Sequence, residues 1–162
     1  MVQQEELEVA FDTYLATLAD ARRLDDWSRF GALFTADGVY SRAGLGDCQG
    51  RAAISARAQH QMTTFPGDHV EKFEVTWHFF VLSARQVVFE VRHVMADPGD
   101  GSVHAASTTS MLTYAGEGLW SRCTDLQSRA AYAEMVRGWL RAAEQHRRHP
   151  APAELQHSPD RG

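Results

Sequence analysis

Apolar residues recur at helical spacing in the first two dozen positions. Leu7, Phe11, Tyr14, Leu15 and Leu18 share one face of a stretch from Glu5 to Arg23, which predicts an amphipathic helix. A second stripe, Trp27, Phe30, Leu33 and Phe34, comes after Asp25 and Asp26, two good helix-start residues. The pattern breaks at Thr35-Ala36-Asp37-Gly38, and Val39-Tyr40 has strand character, so a short helix is expected to turn directly into a strand. Arg42 to Gly50 is glycine-rich and reads as a loop, and Arg51 to Met62 is alanine-rich and reads as a third helix.

Beyond Glu71 the period changes. Glu71 to Ser83, Arg85 to Ala96, Val103 to Tyr114 and Leu119 to Leu126 read as strands. Ser83-Ala84, Asp97-Pro98-Gly99-Asp100-Gly101 and Gly116-Glu117-Gly118 are turn sequences between them, so an antiparallel meander is expected. Ser128 is placed to cap a last helix reaching about Glu144, and the proline-containing tail from His146 to Gly162 reads as disordered. Helices and then a sheet give an α+β layer architecture, one domain over residues 1–145.

Strand parity sorts the side chains into faces. Val87, Phe89, Val91, His93 and Met95 form one set of their strand, and its apolar character marks it as the inner face. In the next strand Ala105, Ser107, Thr109, Met111 and Thr113 oppose His104, Ala106, Thr108, Ser110, Leu112 and Tyr114, and composition does not choose between them. Both faces around Trp77-His78-Phe79 are apolar.

Composition narrows the functional classes. The net charge of −5 argues against a nucleic-acid partner, which favours basic faces. Neither an apolar run of membrane-spanning length nor a charged-then-apolar leader is visible, so no membrane partner and a cytoplasmic location are expected. Cys48 and Cys123 lack metal-site spacing and read as reduced thiols. No histidine pair has tight ligand spacing, so neither a metal nor any other cofactor is expected.

The stretch Leu18 to Tyr40, LADARRLDDWSRFGALFTADGVY, resembles the nuclear transport factor 2-like superfamily and its SnoaL-like branch. The order of elements is similar from Glu5 to Leu140. The resemblance implies a cone-shaped, curved mixed sheet, mostly antiparallel, with the N-terminal helices packed in its concavity. Thr76-Trp77-His78-Phe79 resembles the segment of scytalone dehydratases that carries an active-site histidine, with His93 matching a second one loosely. Alignment on Trp120 puts Ser107 on that family's active-site serine and Thr109 on an asparagine; Tyr40 lies near a matching tyrosine. Tyr14 resembles the oxyanion-binding tyrosine of ketosteroid isomerases, and Asp125 stands where SnoaL-type cyclases carry a catalytic aspartate, whose partner histidine falls roughly on Met111. The families' patterns are also broken: Arg22-Arg23 replaces a Tyr-Asp pair, and the isomerase carboxylates are absent.

The resemblance implies a cofactor-independent cyclase, dehydratase or isomerase acting on a small carbonyl substrate. Asp125, His78, His93 and Tyr14 would be its catalytic groups. Tyr40, Ser107, Thr109, Trp27, Phe89 and Met111 would contact the substrate. Bland readings stand beside these. Asp125 can cap the last helix, the histidines can be core residues, and the fold can serve as a non-catalytic subunit like that of ring-hydroxylating dioxygenases, or as a ligand carrier. Val88, Val94 and Leu112 are expected on the outer sheet face, where they would join two copies as a homodimer.

Overall fold

A computed structural model describes residues 3–150 of the chain. Helix α1, Gln4–Leu24, buries Leu7, Ala10, Phe11 and Tyr14 at the predicted spacing. Asp25 closes α1 in a left-handed conformation (φ 52°) instead of opening a second helix. The chain then makes one 3-10 turn, Phe30–Leu33, and strand β1 already begins at its end, Phe34–Arg42. The stripe of Trp27, Phe30, Leu33 and Phe34 is buried as expected, but a single turn suffices to bury it.

The glycine-rich segment expected to be a loop contains strand β2, Gly46–Gln49, which folds back on β1. Helix α2, Arg51–Thr63, leads to four long strands: β3 Val70–Val81, β4 Gln86–Met95, β5 Ala105–Gly116 and β6 Leu119–Gln127. Helix α3 spans Arg129–Arg148, so His146 to Arg148, expected in a disordered tail, are helical. His149 closes the helix, and residues 151–162 of that expected tail lie outside the described residues. Ser128 caps α3, its Oγ accepting from the Ala131 amide at 3.2 Å.

The six strands form one sheet in the order β2-β1-β6-β5-β4-β3. All neighbours are antiparallel except β1 and β6, which run parallel. Val87, Phe89, Val91 and Met95 of β4 are buried on the concave face, as parity predicts. On β5 the buried set is Ala106, Thr108, Ser110, Leu112 and Tyr114. Leu112 therefore points inward, a correction to its expected place on the outer face, and Val94 is buried.

α1 plugs one end of the concavity: Phe11 packs against Phe89 at 4.9 Å between ring centroids. α3 closes the other end through Met135 against Met95 and Ala106, anchored by the Trp139 indole N–H donating to the Ala96 carbonyl at 2.7 Å. Trp120, Phe34 and Phe89 are fully buried, and each such side chain contributes about 1.5–3 kcal/mol through removal from water. Between the two plugs the core stays unfilled. Among the described residues no helix is long and apolar enough to cross a membrane.

Candidate active site

The space left between the plugs is a cavity of about 80 Å³. Leu18, Trp27, Phe30, Ile54, Met62, Phe73 and Val91 make its apolar wall. Tyr40, Arg42, Gln61, His93, Ser110 and Asp125 bring polar groups to it.

Strand register assembles the polar end. Arg42 of β1 pairs with Asp125 of β6, and Asp125 pairs in turn with Ser110 of β5. Three adjacent strands thus present their side chains side by side on the concave face. Asp125 Oδ2 accepts from the Tyr40 hydroxyl at 2.5 Å and from Arg42 Nη2 at 2.9 Å. Its Oδ1 accepts from Ser110 Oγ at 2.7 Å, with the Cys123 thiol at 3.7 Å. Arg42 Nη1 reaches across to Gln61 Oε1 at 3.3 Å.

Asp125 is buried and does not cap α3, so the capping reading falls. Both its oxygens accept hydrogen bonds from the protein. This arrangement makes it an anchor for Arg42 and Tyr40.

Burial, then the Asp125 charge, raises the Tyr40 hydroxyl well above the ordinary tyrosine value. Burial alone would lower Arg42, but Tyr40 and Asp125 outweigh it and raise its proton affinity. The Cys123 thiol is pushed up by burial and then by Asp125.

His93 sits at the other side of the cavity between Phe73 (5.1 Å between ring centroids) and Tyr132 of α3 (6.3 Å). Its imidazole makes no side-chain hydrogen bond among the described residues. Burial, and after it the Arg42 guanidinium, press it from 6.5 down to about 4, with Asp125 pulling the other way. The imidazole is therefore neutral at neutral pH. Between pH 6.5 and about 4 the unfolded chain holds a proton here that the folded chain refuses. Stability due to this residue is thus constant above that window and falls as pH drops through it, by about 3 kcal/mol. Thermal unfolding of wild type and His93→Gln across this window should show the flatter pH slope in the variant; equal slopes would refute the assignment.

Trp27 completes the wall, and its indole N–H is buried with no hydrogen-bond partner. Such an orphaned donor costs roughly 1–3 kcal/mol.

Other expected site residues lie elsewhere. A register shift between Val75 and Trp77 turns His78 to the concave side, opposite Phe89. It rests on Phe11 and Phe80 at the α1 plug, exposed and away from the cavity. Phe89 is buried in the same plug and does not line the cavity. Tyr14 is buried in the core, raised well above the ordinary tyrosine value by burial and then by neighbouring Cys123 and Asp125, and does not reach the cavity wall. Ser107, Thr109 and Met111 occupy the convex set of β5, because Thr108 and Ser110 take the inner one. Arg42, Ser110 and Gln61 are site residues that the sequence pattern does not single out. Arg42 lies two residues beyond Tyr40 on the same strand face, so a longer β1 would disclose it.

Among the described residues, no three His, Cys, Asp or Glu side chains are grouped to hold a metal ion. No protein-family model and no curated protein sequence matches the chain. Solved structures do match. A nuclear transport factor 2-like protein from Anabaena variabilis aligns with a TM-score of 0.58 at 14% identity, over 79% of this chain and 94% of its own. The fold is nuclear transport factor 2-like. An epoxide hydrolase from Mycobacterium tuberculosis described as LEH-like aligns with a TM-score of 0.60 at 12% identity, covering 82% of this chain and 89% of that one. A hypothetical Catenulispora acidiphila protein with a ketosteroid isomerase-like fold, in complex with trimethylamine, gives 0.58 at 21% identity, over 76% and 91% of the two chains. These structures share the shape and little of the sequence.

Proposed function

We propose that the chain is a cofactor-independent enzyme of the SnoaL-like branch that moves a proton at carbon next to a carbonyl. That step is common to cyclases, dehydratases and isomerases. The observation that carries the reading is a neutral, unbonded His93 facing the same small apolar cavity as a fixed Arg42–Asp125 pair. His93 accepts the substrate proton on a ring nitrogen. Arg42, held in place by Asp125, and the unpartnered Trp27 N–H stabilise the enolate oxygen that develops. The protonated imidazole then returns its proton, to a different atom for an isomerisation or to a leaving hydroxyl for a dehydration. An epoxide hydrolase and an isomerase-like fold among the structural neighbours agree with a cavity used for chemistry on small molecules.

The test is exchange of α-protons for deuterium in small cyclic ketones incubated with the protein in D2O, monitored by proton NMR. Exchange above the buffer rate is expected. Ketones that bind without exchanging would support the carrier or subunit reading instead.

We also propose that two copies pair through the convex face. Trp77 and Phe79 stack there at 5.9 Å and are exposed, beside half-exposed Val88 and Met111 on the neighbouring strands. Contiguous apolar surface of this kind marks an interface. Sedimentation should show a dimer at micromolar concentration and a monomer for Trp77→Glu; a wild-type monomer would end the proposal.

A further inference from the structure

On the far side of Arg42 from the cavity lies a groove of about 540 Å³. Its walls come from the turn between β1 and β2, the C-terminal end of α2 and the first turns of α3. Arg42 and Gln61 line both spaces, and the hydrogen bond between them forms the partition. Tyr132 likewise belongs to the groove while packing against His93.

The groove is one-sided in charge. Arg42 and Arg129 line it, and no aspartate or glutamate does. Asp125 answers Arg42 from the cavity side. Arg129 has no such partner: it makes no ion pair or side-chain hydrogen bond among the described residues. On the same helix Arg137, Arg141 and Arg148 are each paired with Glu134 or Glu144, and Arg147, like Arg129, is not. Arg129 instead lies across Gly44, where a Cβ would meet its side chain at 3.4 Å. Gly44 has φ +84°, a conformation that suits glycine, so the turn keeps this surface bare beneath the guanidinium.

Size points the same way. At about 80 Å³ the cavity is far below the roughly 300–1,000 Å³ of common small-molecule pockets, so it holds only the head of a ligand. Any larger substrate must leave part of itself outside, and beyond the Arg42–Gln61 pair lies the unanswered charge of Arg129.

We propose that this groove is a subsite for the anionic end, carboxylate or phosphate, of a substrate whose small carbonyl-bearing head occupies the cavity. The subsite deepens the proton-transfer reading of the cavity and rests on it. Guanidinium groups bind such anions through paired, charge-assisted hydrogen bonds.

The experiment compares 3-(2-oxocyclohexyl)propanoate with its primary amide, which has the same shape and no charge. Binding to the full chain is measured by titration calorimetry for wild type and Arg129→Gln. The acid should bind wild type about tenfold more tightly than the amide, the effect of one charge-assisted contact. That advantage should vanish in Arg129→Gln and shrink with added salt, while amide affinity stays unchanged. An amide bound as tightly as the acid, or an acid advantage surviving in Arg129→Gln, overturns the subsite and leaves the cavity reading intact. Failure of both ligands to bind overturns both. Inorganic phosphate bound as tightly as the acid makes the groove a free-anion site and breaks its link to the cavity.

Discussion

Asp125→Asn should cost the protein about 3–5 kcal/mol of stability, the penalty for removing one partner from a buried ion pair. The guanidinium of Arg42 is mostly enclosed, and Asp125 is its one ion-pair partner among the described residues, at 2.9 Å. Asparagine still accepts from Tyr40 or Ser110, but it leaves the positive charge unanswered in an apolar setting. Against a typical total of about 5–15 kcal/mol, such a loss is large enough to read directly in urea denaturation. Replacing both partners by apolar residues, Arg42→Met with Asp125→Leu, should recover most of it, because no charge is then left buried. A single variant within about 1 kcal/mol of wild type would sink the claim that this pair is an energetic unit. From the sequence alone, the substitution is expected to leave the fold intact. The register Arg42–Asp125–Ser110 predicts a loss of stability instead.

His93→Gln should slow ketone deuterium exchange by about 100- to 10,000-fold, the usual contribution of a positioned acid–base group. Glutamine keeps polarity and approximate size but takes no proton in the accessible range. Its packing cost is modest, since the imidazole makes only ring contacts with Phe73 and Tyr132. Ketone affinity measured in parallel should change little, which separates lost chemistry from a lost cavity. His78→Ala serves as the internal control: it lies outside the cavity, so exchange should be unaffected. If His78→Ala slows exchange and His93→Gln does not, the roles given to the two histidines are reversed.

Much of the scaffold can be read from periodicity because burial there is one-sided. β4 alternates Val87, Phe89, Val91 and Met95 with more polar residues, and its inner face emerges without ambiguity. β5 alternates Ala, Ser and Thr with more of the same, so both parities fit, and family likeness selects the convex Ser107, Thr109 and Met111. The inner set is decided by cross-strand pairing, Ser110 with Asp125 and Gln127 with Thr108, which no local pattern contains. His78 misleads for a different reason. It lies on the concave side, but α1 covers that end of the sheet and fills it with Phe11. Arg42 escapes notice because an arginine next to a glycine-rich stretch looks solvated. Only its distant carboxylate reveals that it is held inside.

The parallel pairing of β1 with β6 ties the first third of the chain to the last. Arg42 and Asp125 stand 83 positions apart, and every other strand of the sheet lies between them in sequence. During synthesis β1 emerges long before its neighbour exists. Until β6 arrives, Arg42 must remain in water, because enclosing it alone is costly. Closing so long a loop is slow compared with forming hairpins, so the β3–β4–β5 meander is free to form first. The polar end of the cavity is therefore among the last parts of the molecule to exist, and it exists only once β1 and β6 have paired.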